Sequence, residues 1–145
     1  MKKETKMKKT LATLMLLIGA LLVNVVRAQA ATYTVTNTND SGAGSLRAAI
    51  AAASTTLDAN VIKFDATAFA APQTITLTSG QLEIASNLTL TIDGTNANRL
   101  SISGNNTSRV FYVDLGAVLT INNLTITQGN AENGGGIFNY SGTLN

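Results

Sequence analysis

The sequence contains no cysteine, no histidine and no tryptophan, and it has one proline among 145 residues. Without cysteine no disulfide can form, so the folded state depends on packing and hydrogen bonding. Without histidine the chain lacks the commonest general base and metal ligand, which excludes histidine-based acid–base and metal chemistry. The same two absences exclude a cysteine nucleophile and a Ser-His-Asp triad.

The first thirty residues have the three parts of a secretory signal peptide. Five lysines precede residue 10, an apolar run follows over Leu11–Val26, and residues 28–30 form an A-x-A exit. A transmembrane anchor is the alternative, but the run contains Asn24 and is shorter than the roughly 20 residues that span a bilayer. We therefore predict a signal peptide over residues 1–30 and cleavage near Ala30.

Removal of this segment reverses the sign of the net charge. Six of the ten basic residues and one of the eight acidic residues lie in the first thirty, which leaves four basic and seven acidic groups, a net charge of −3. Binding to nucleic acid by counterion release needs a basic surface. We therefore expect no nucleic-acid partner.

The remaining 115 residues are rich in threonine and asparagine, which together account for 32 of them. Threonine favours strands, and asparagine suits turns because it tolerates left-handed backbone. From residue 74 onward, short strand-like runs of four to seven residues are separated by Gly, Asn or Ser. The longer run Val118–Thr127 is predicted to bend at Asn122-Asn123 into two strands.

Two internal matches indicate a repeat. Residues 87–91 (NLTLT) recur as residues 123–127 (NLTIT), an offset of 36, and residues 110–119 resemble residues 137–144. The second match aligns Ile137-Phe138 with Val110-Phe111, and Thr143-Leu144 with Val118-Leu119. A degenerate period of about 25 to 36 residues is typical of a solenoid of stacked coils.

The predicted fold is all-β, a right-handed parallel β-helix with one short capping α-helix. An antiparallel β-sandwich is the competing fold, because its strands have similar lengths. The repeat and the single early helix favour the solenoid, whose open end needs a cap. We predict a cap region over residues 31–72 with its helix at 45–53, N-capped by Ser45, and coils over 73–145 that end inside a strand, as in an N-terminal fragment.

Two stretches of the sequence resemble known proteins. Residues 34–53 (TVTNTNDSGAGSLRAAIAAA) are similar to the N-terminal segment of secreted bacterial β-helix proteins named for a Cys-Ser-Leu-Arg-Glu-Ala signature, although Gly44 and Ala48 replace its Cys and Glu. The later strands resemble coils of the pectin-lyase-like superfamily, and "GGGIFN" resembles the Gly-Gly-Ala-Ile motif of polymorphic outer-membrane proteins. The resemblance implies a bacterial protein that is secreted or lies at the cell surface or outer membrane.

Few residues are candidates for chemistry. The acidic residues are scattered, with Asp93 and Asp114 as the least implausible pair, and we interpret them as turn residues bonded to nearby backbone N–H groups. Tyr112 and Tyr140 could offer aromatic surfaces to sugars, but we interpret them as residues that merely point outward in the expected alternation. The same alternation makes Phe111 and Phe138 core residues.

Five residues are assigned structural roles. We expect Arg47 to bond an acid such as Asp40 or Asp65, or free carbonyl groups at the first coil. Asn87 and Asn123 are expected at equivalent turns, where stacked asparagines form a ladder. Gly135 and Gly136 belong to a tight turn. The structural residues are therefore Arg47, Asn87, Asn123, Gly135 and Gly136, with no catalytic, cofactor-binding or metal-binding residue and no cofactor.

The predicted function is that of an adhesin-like surface protein that presents a rigid polar rod. Its expected partners are glycans or host cell-surface molecules, and its contact with a membrane is limited to the signal peptide or a missing C-terminal anchor. The alternative is the N-terminal part of a polysaccharide lyase or glycoside hydrolase that acts on acidic or plant-type polysaccharide and whose catalytic coils lie further along the chain.

Overall fold

A computed structural model describes residues 30–56 and 58–145 of the chain. The predicted signal peptide lies outside the described residues except for Ala30. One helix and eleven strands are present in the described part. They are α1 (Leu46–Ala53), β1 (Thr32–Val35), β2 (Ala59–Phe64), β3 (Gln73–Thr76), β4 (Leu82–Ile84), β5 (Thr89–Asp93), β6 (Leu100–Ser103), β7 (Phe111–Val113), β8 (Val118–Asn122), β9 (Thr125–Thr127), β10 (Ile137–Asn139) and β11 (Thr143–Leu144).

The strands form three parallel sheets that are the three sides of a solenoid. Sheet A has the order β1-β2-β5-β8-β11, sheet B the order β3-β6-β9, and sheet C the order β10-β7-β4. The chain visits sheets A, B and C in turn from β2 onward, so each circuit adds one strand to each sheet. The prediction of a parallel β-solenoid with one short helix is confirmed, and the antiparallel sandwich is wrong.

The core is a set of aliphatic columns that run along the solenoid axis. In sheet A, Ile62 pairs with Ile92 and Ile92 with Ile121. In sheet B, Ile75, Ile102 and Ile126 form the equivalent column. Because side chains alternate along a strand, each isoleucine points inward while its neighbours in sequence point outward. Identical side chains therefore stack at the spacing of adjacent strands, about 4.8 Å.

The helix begins where the sequence predicts it. The Ser45 hydroxyl accepts a hydrogen bond from the Ala48 N–H at 3.2 Å and donates one to the Gly42 carbonyl at 2.7 Å. The four residues at helical spacing on its apolar face are buried: Leu46, Ala49, Ile50 and Ala53. This face packs against β1, β2 and β4, so α1 covers the core at the N-terminal end.

The register of the strands differs from the predicted repeat in two places. Leu90 pairs with Leu119, an offset of 29 residues rather than 36. Phe111 pairs with Ile137, so the predicted alignment of residues 110–111 with residues 137–138 is wrong by one residue. Since a shift of one residue exchanges the two faces of a strand, Phe138 points outward, and its prediction as a core residue is wrong. The pairing of Thr143-Leu144 with Val118-Leu119 is confirmed.

The two ends of the solenoid differ in how far their inward side chains are buried. Ile62, Ile75 and Phe64, near the helix, are at most 1% exposed. Leu119 in β8 is still fully buried, but four aliphatic residues of β8 and the elements after it are only partly buried: Ile121, Leu124, Ile126 and Ile137. In the described part of the chain no helix is both long and apolar enough to cross a membrane.

Candidate functional site

The outer face of sheet C carries a cluster of aromatic side chains. In β7, Phe111 and Val113 are buried, so Tyr112 between them points outward. Its partner in register on β10 is Phe138, and Tyr140 follows two residues later. We call Tyr112, Phe138 and Tyr140 the aromatic cluster.

The Tyr112 ring stacks on the rings of both Phe138 and Tyr140. The Tyr112 and Phe138 ring centroids are 5.8 Å apart with an interplanar angle of 29°, and those of Tyr112 and Tyr140 are 6.5 Å apart at 20°. These separations lie within the range of favourable aromatic pairs. Tyr112 and Phe138 are half-buried, whereas Tyr140 is 53% exposed. Leu115, at the corner that follows β7, is 57% exposed.

Arg109 fixes one side of the aromatic cluster. Its guanidinium carbon lies 4.8 Å from the Phe138 ring centroid and 5.8 Å from that of Tyr112, within the range of cation–π contacts. Nη1 donates to the Gln81 side-chain oxygen at 2.8 Å. Nη2 and Nε donate to the carbonyls of Asn133 and Gly134 at 2.8 and 3.1 Å. One side chain thereby connects three successive coils.

Carboxylates border the aromatic cluster on its other sides. Glu83 is the partner of Tyr112 in β4, and it is exposed. Asp114 accepts hydrogen bonds of 2.7 Å from the Ser86 hydroxyl and from the Leu115 N–H, and these bonds lower its pKa. Desolvation, followed by the negative charge of Asp114, raises the pKa of Tyr112. The Tyr112 hydroxyl is therefore a protonated hydrogen-bond donor at neutral pH.

The face is open. The described residues enclose no pocket, so a ligand of the aromatic cluster would lie across a surface. No group of three or more acidic residues suited to a metal ion is present in the described ranges. Asp93 ends β5 and bonds Thr95, whereas Asp114 lies at the corner that begins β8. The structure therefore places Asp93 and Asp114 at opposite ends of sheet A, and they do not form a catalytic pair.

Arg47 joins the helix to the first full coil. Its Nη2 lies 2.7 Å from Asp40 Oδ1, and its two Nη atoms donate to the carbonyls of Gly80 and Gln81 at 2.8 and 2.7 Å. The other Asp40 oxygen accepts from the Ser79 N–H at 2.8 Å and from the Thr78 N–H at 3.2 Å. Both side chains thus bond the turn after β3. Asp65, the other candidate acid, does not bond Arg47; its carboxylate accepts hydrogen bonds from the N–H groups of Thr67 and Ala68 in its own turn.

Burial of Asp40 opposes its ionisation, but the hydrogen bonds and the charge of Arg47 outweigh it. Its pKa lies well below the usual value for aspartate, because Ser79, Arg47 and Thr78 all donate to the carboxylate. The Asp40 side chain is 7% exposed and that of Arg47 is 27% exposed. The ion pair is therefore largely shielded from water.

Asn87 and Asn123 share a left-handed backbone conformation but lie at different corners of the solenoid. Asn87 and Asn123 have φ values of 61° and 53°. The Asn87 N–H donates to Leu115 O at the corner between sheets C and A. Asn123 lies between β8 and β9, where its side chain donates to Thr95 Oγ1 at 3.0 Å. They lie at different corners, so the predicted ladder between them is wrong.

Gly129 and the glycine run 134–136 lie at the two ends of one loop, residues 128–136, which joins β9 of sheet B to β10 of sheet C. A Cβ on Gly135 would lie 2.7 Å from Gly129 O, and one on Gly129 would lie 1.9 Å from Gly135 O. The Gly136 carbonyl accepts from the Phe111 N–H at 3.0 Å. Side chains at 129 and 135 would separate these backbones, so the register of β10 on β7 depends on both glycines.

Two residues of this site are not predicted from the sequence, Phe138 and Arg109. The sequence pattern assigns Phe138 to the core and does not single out Arg109. The sequence does contain a signal for Phe138: aligning Ile137 with Phe111 as inward residues places Phe138 beside the outward Tyr112.

Comparison with known proteins adds no family. No protein-family model, no curated protein and no solved structure matches the chain. The resemblance to pectin-lyase-like proteins therefore rests on the short motifs in the sequence, while the parallel solenoid rests on the strand pairing.

Proposed function

We propose that this chain is a secreted or cell-surface β-solenoid that binds glycans on the outer face of sheet C and performs no catalysis in these coils. The observation that carries the proposal is the aromatic cluster with Arg109 across it. A pyranose ring has apolar C–H faces and polar edges, so it suits a surface where aromatic rings lie beside hydrogen-bonding groups.

The cluster is held in place before any ligand arrives. Its strands belong to a parallel sheet, and Arg109 is bonded to coils on both sides. Rigid aromatic side chains lose little conformational entropy on binding, which improves affinity. The open face suits an extended polymer, because a small ligand gains more from a concave pocket.

The charges around the cluster favour a neutral glycan. Glu83 and Asp114 share the face with a single cation, Arg109, whose donors already bond protein oxygens. The net charge of −3 after residue 30 adds a general repulsion of polyanions. An acidic polysaccharide, as the lyase alternative requires, would meet two carboxylates here.

Binding is tested with the chain from residue 31 onward and a panel of soluble polysaccharides. The panel holds neutral polymers (xylan, glucomannan and a cellulose derivative) and the polyanion polygalacturonate, measured by affinity electrophoresis and calorimetry. We expect binding to at least one neutral polymer and none to polygalacturonate. Phe138→Ala and Tyr112→Ala should each weaken binding by about tenfold or more.

The matched control is Thr125→Ala, which removes an exposed side chain from sheet B and should leave affinity unchanged. If no neutral polymer binds, or if both aromatic variants bind like the unchanged protein, the glycan function is wrong. Export is tested separately by expressing the full chain and sequencing the N-terminus of the product. A mature N-terminus at Ala31 supports the secretory route, and retention of residues 1–30 contradicts it.

A further inference from the structure

The loop that precedes β10 contains the one Asn-Gly pair in the sequence, Asn133-Gly134. Both residues are exposed, and Gly134 has a φ of +57°. Without a Cβ, glycine leaves its own main-chain nitrogen open to approach by the preceding side chain. Asn-Gly is therefore the arrangement in which the Gly134 nitrogen reaches the Asn133 side-chain carbon most readily.

The structure distinguishes Asn133 from the other asparagines. In the described ranges, hydrogen bonds hold neither the Asn133 side-chain amide nor the Gly134 N–H. Most other asparagine amides are engaged by protein atoms, and the rest are followed by a residue with a Cβ. The engaged amides are those of Asn37, Asn60, Asn98, Asn123, Asn130, Asn139 and Asn145.

Arg109 contacts the peptide group that would react. Its Nη2 donates to the Asn133 carbonyl oxygen at 2.8 Å. When the Gly134 nitrogen loses its proton, much of the negative charge resides on that oxygen. A guanidinium bonded there stabilises the charge, as a donor in an oxyanion hole does.

We propose that Asn133-Gly134 is a site of spontaneous covalent modification that converts Asn133 to aspartate and isoaspartate. The Gly134 nitrogen gives up its proton to solvent and bonds to the Asn133 Cγ, and the side-chain amide leaves as ammonia. Water then opens the cyclic imide at one of its two carbonyls. The sum is one asparagine plus one water giving one acidic residue plus one ammonia, with no oxidant or cofactor.

The product carries a new carboxylate beside Arg109. Arg109 now bonds the Asn133 and Gly134 carbonyls and lies over Phe138. A carboxylate at position 133 competes for the guanidinium with a charge-assisted bond, which is stronger than a bond to a neutral carbonyl. The modification therefore weakens the contact between Arg109 and the aromatic cluster, whatever ligand that cluster binds.

The test follows the folded chain from residue 31 onward during incubation in mildly alkaline buffer. Trypsin releases Val110–Asn145 as one peptide, because no Lys or Arg follows Arg109. Mass spectrometry with electron-transfer fragmentation then locates each amide-to-carboxylate change and separates aspartate from isoaspartate. We expect Asn133 to be modified at least about tenfold faster than any other asparagine of that peptide.

Two variants make the result specific. Asn133→Gln leaves the backbone unchanged and should abolish the reaction at 133, since it would need a larger ring. Arg109→Lys keeps the tryptic site but removes the planar donors that bond both carbonyls. It should slow the reaction at Asn133 several-fold in the folded protein. In urea, where these contacts are lost, its rate should equal that of the unchanged protein. Thermal melts show that each variant is folded before its rate is compared.

The consequence for Arg109 is measured by NMR. Asn133→Asp should shift the Arg109 Nε–H resonance strongly, while Asn122→Asp, on sheet A, should leave it in place. The proposal is overturned if Asn133 is modified no faster than its neighbours. A rate in Arg109→Lys equal to that of the unchanged protein overturns the role of Arg109, and an unmoved Nε–H resonance overturns the effect on the cluster.

Discussion

The N-terminal and C-terminal ends of the solenoid are built from the same aliphatic columns but bury them to different extents. Ile62 and Ile121 occupy one column of sheet A, and only Ile62 is fully buried. The difference between the ends is α1, which lies over the first strands and is fixed there by Arg47 and Asp40. The comparison shows that a column of isoleucines stabilises the fold in proportion to how completely its members are covered.

The largest expected effect comes from truncating the same side chain at the two ends of one column. Ile62→Ala removes a fully buried side chain and should lower the free energy of unfolding by about 3 to 4 kcal/mol. Ile121→Ala, at the half-buried position, should cost about 1 kcal/mol because water already contacts part of the side chain. Urea denaturation of both variants measures the two costs, and equal costs would contradict the comparison.

The ion pair that holds the helix should contribute the next largest amount. Asp40→Asn removes the charge that faces Arg47 and should cost about 2 to 3 kcal/mol, since both groups are largely shielded. Asp114→Asn, on a carboxylate bonded to Ser86 at an exposed corner, is the matched control and should cost much less, because solvent screens an exposed charge. A similar loss in both variants would mean that Arg47 and Asp40 do not fix the cap.

At low pH, the free energy of unfolding of Asp40→Asn should become equal to that of the unchanged protein. The folded-state pKa of Asp40 is lowered, so its stabilising contribution is fully present above the unfolded-state pKa of about 3.9 and is lost as the pH falls below it. The gap between the two unfolding free energies should be constant from neutral pH to about pH 5 and shrink at lower pH. A gap that is unchanged in acid would show that the charge of Asp40 is not what stabilises the cap.

Loss of the helix N-cap should have a smaller effect. Ser45→Ala leaves the Ala48 N–H without its acceptor and removes the hydroxyl bond to the Gly42 carbonyl, which keeps the Ser45 N–H as a donor; the loss should cost about 1 kcal/mol. Ser101→Ala, on the outer face of sheet B, should change the unfolding free energy by less than about 0.5 kcal/mol. Thermal denaturation of the two variants separates a capping contribution from the general effect of removing a hydroxyl.

The smallest effect is expected in β11. Leu144 is 41% exposed on β11, so Leu144→Ser removes little buried surface and should cost less than about 0.5 kcal/mol. A cost comparable to that of Ile62→Ala would indicate that the last coil is as firmly packed as the first, and the contrast between the ends would disappear.

The fold follows from the sequence more readily than the register does. The helix at 45–53, the bend at Asn122-Asn123 and the parallel solenoid all follow from local signals such as capping, asparagine turns and short alternating runs. The repeat NLTLT–NLTIT predicts the wrong offset because nearly the same five residues lead into β5 of sheet A in one place and into β9 of sheet B in the other. The alternation of apolar and polar residues predicts a strand, but it does not predict which of the three sheets the strand belongs to.

The candidate site was less predictable for the same reason. Tyr112 is placed outward correctly because it alternates with the buried residues Phe111 and Val113. Tyr140 is also exposed as predicted, but its neighbours are exposed too, so alternation does not explain its position. Phe138 was misplaced by the alignment of residues 137–138 with 110–111, one residue from the observed pairing. Arg109 gains its role from contacts with Gln81, Asn133 and Gly134, which are 24 to 28 residues away in sequence. Local patterns contain no information about such contacts.

The corners of the solenoid differ in how freely their length varies. From sheet A to sheet B the chain passes through residues 65–72, then 94–99, then 123–124, while the corners from sheet C to sheet A stay nearly constant at 85–88, 114–117 and 140–142. Sheet A keeps its pairing throughout. The corner at 94–99 is thus a natural insertion point: a foreign peptide grafted there would be displayed at a fixed height on a rod without disturbing the strands on either side.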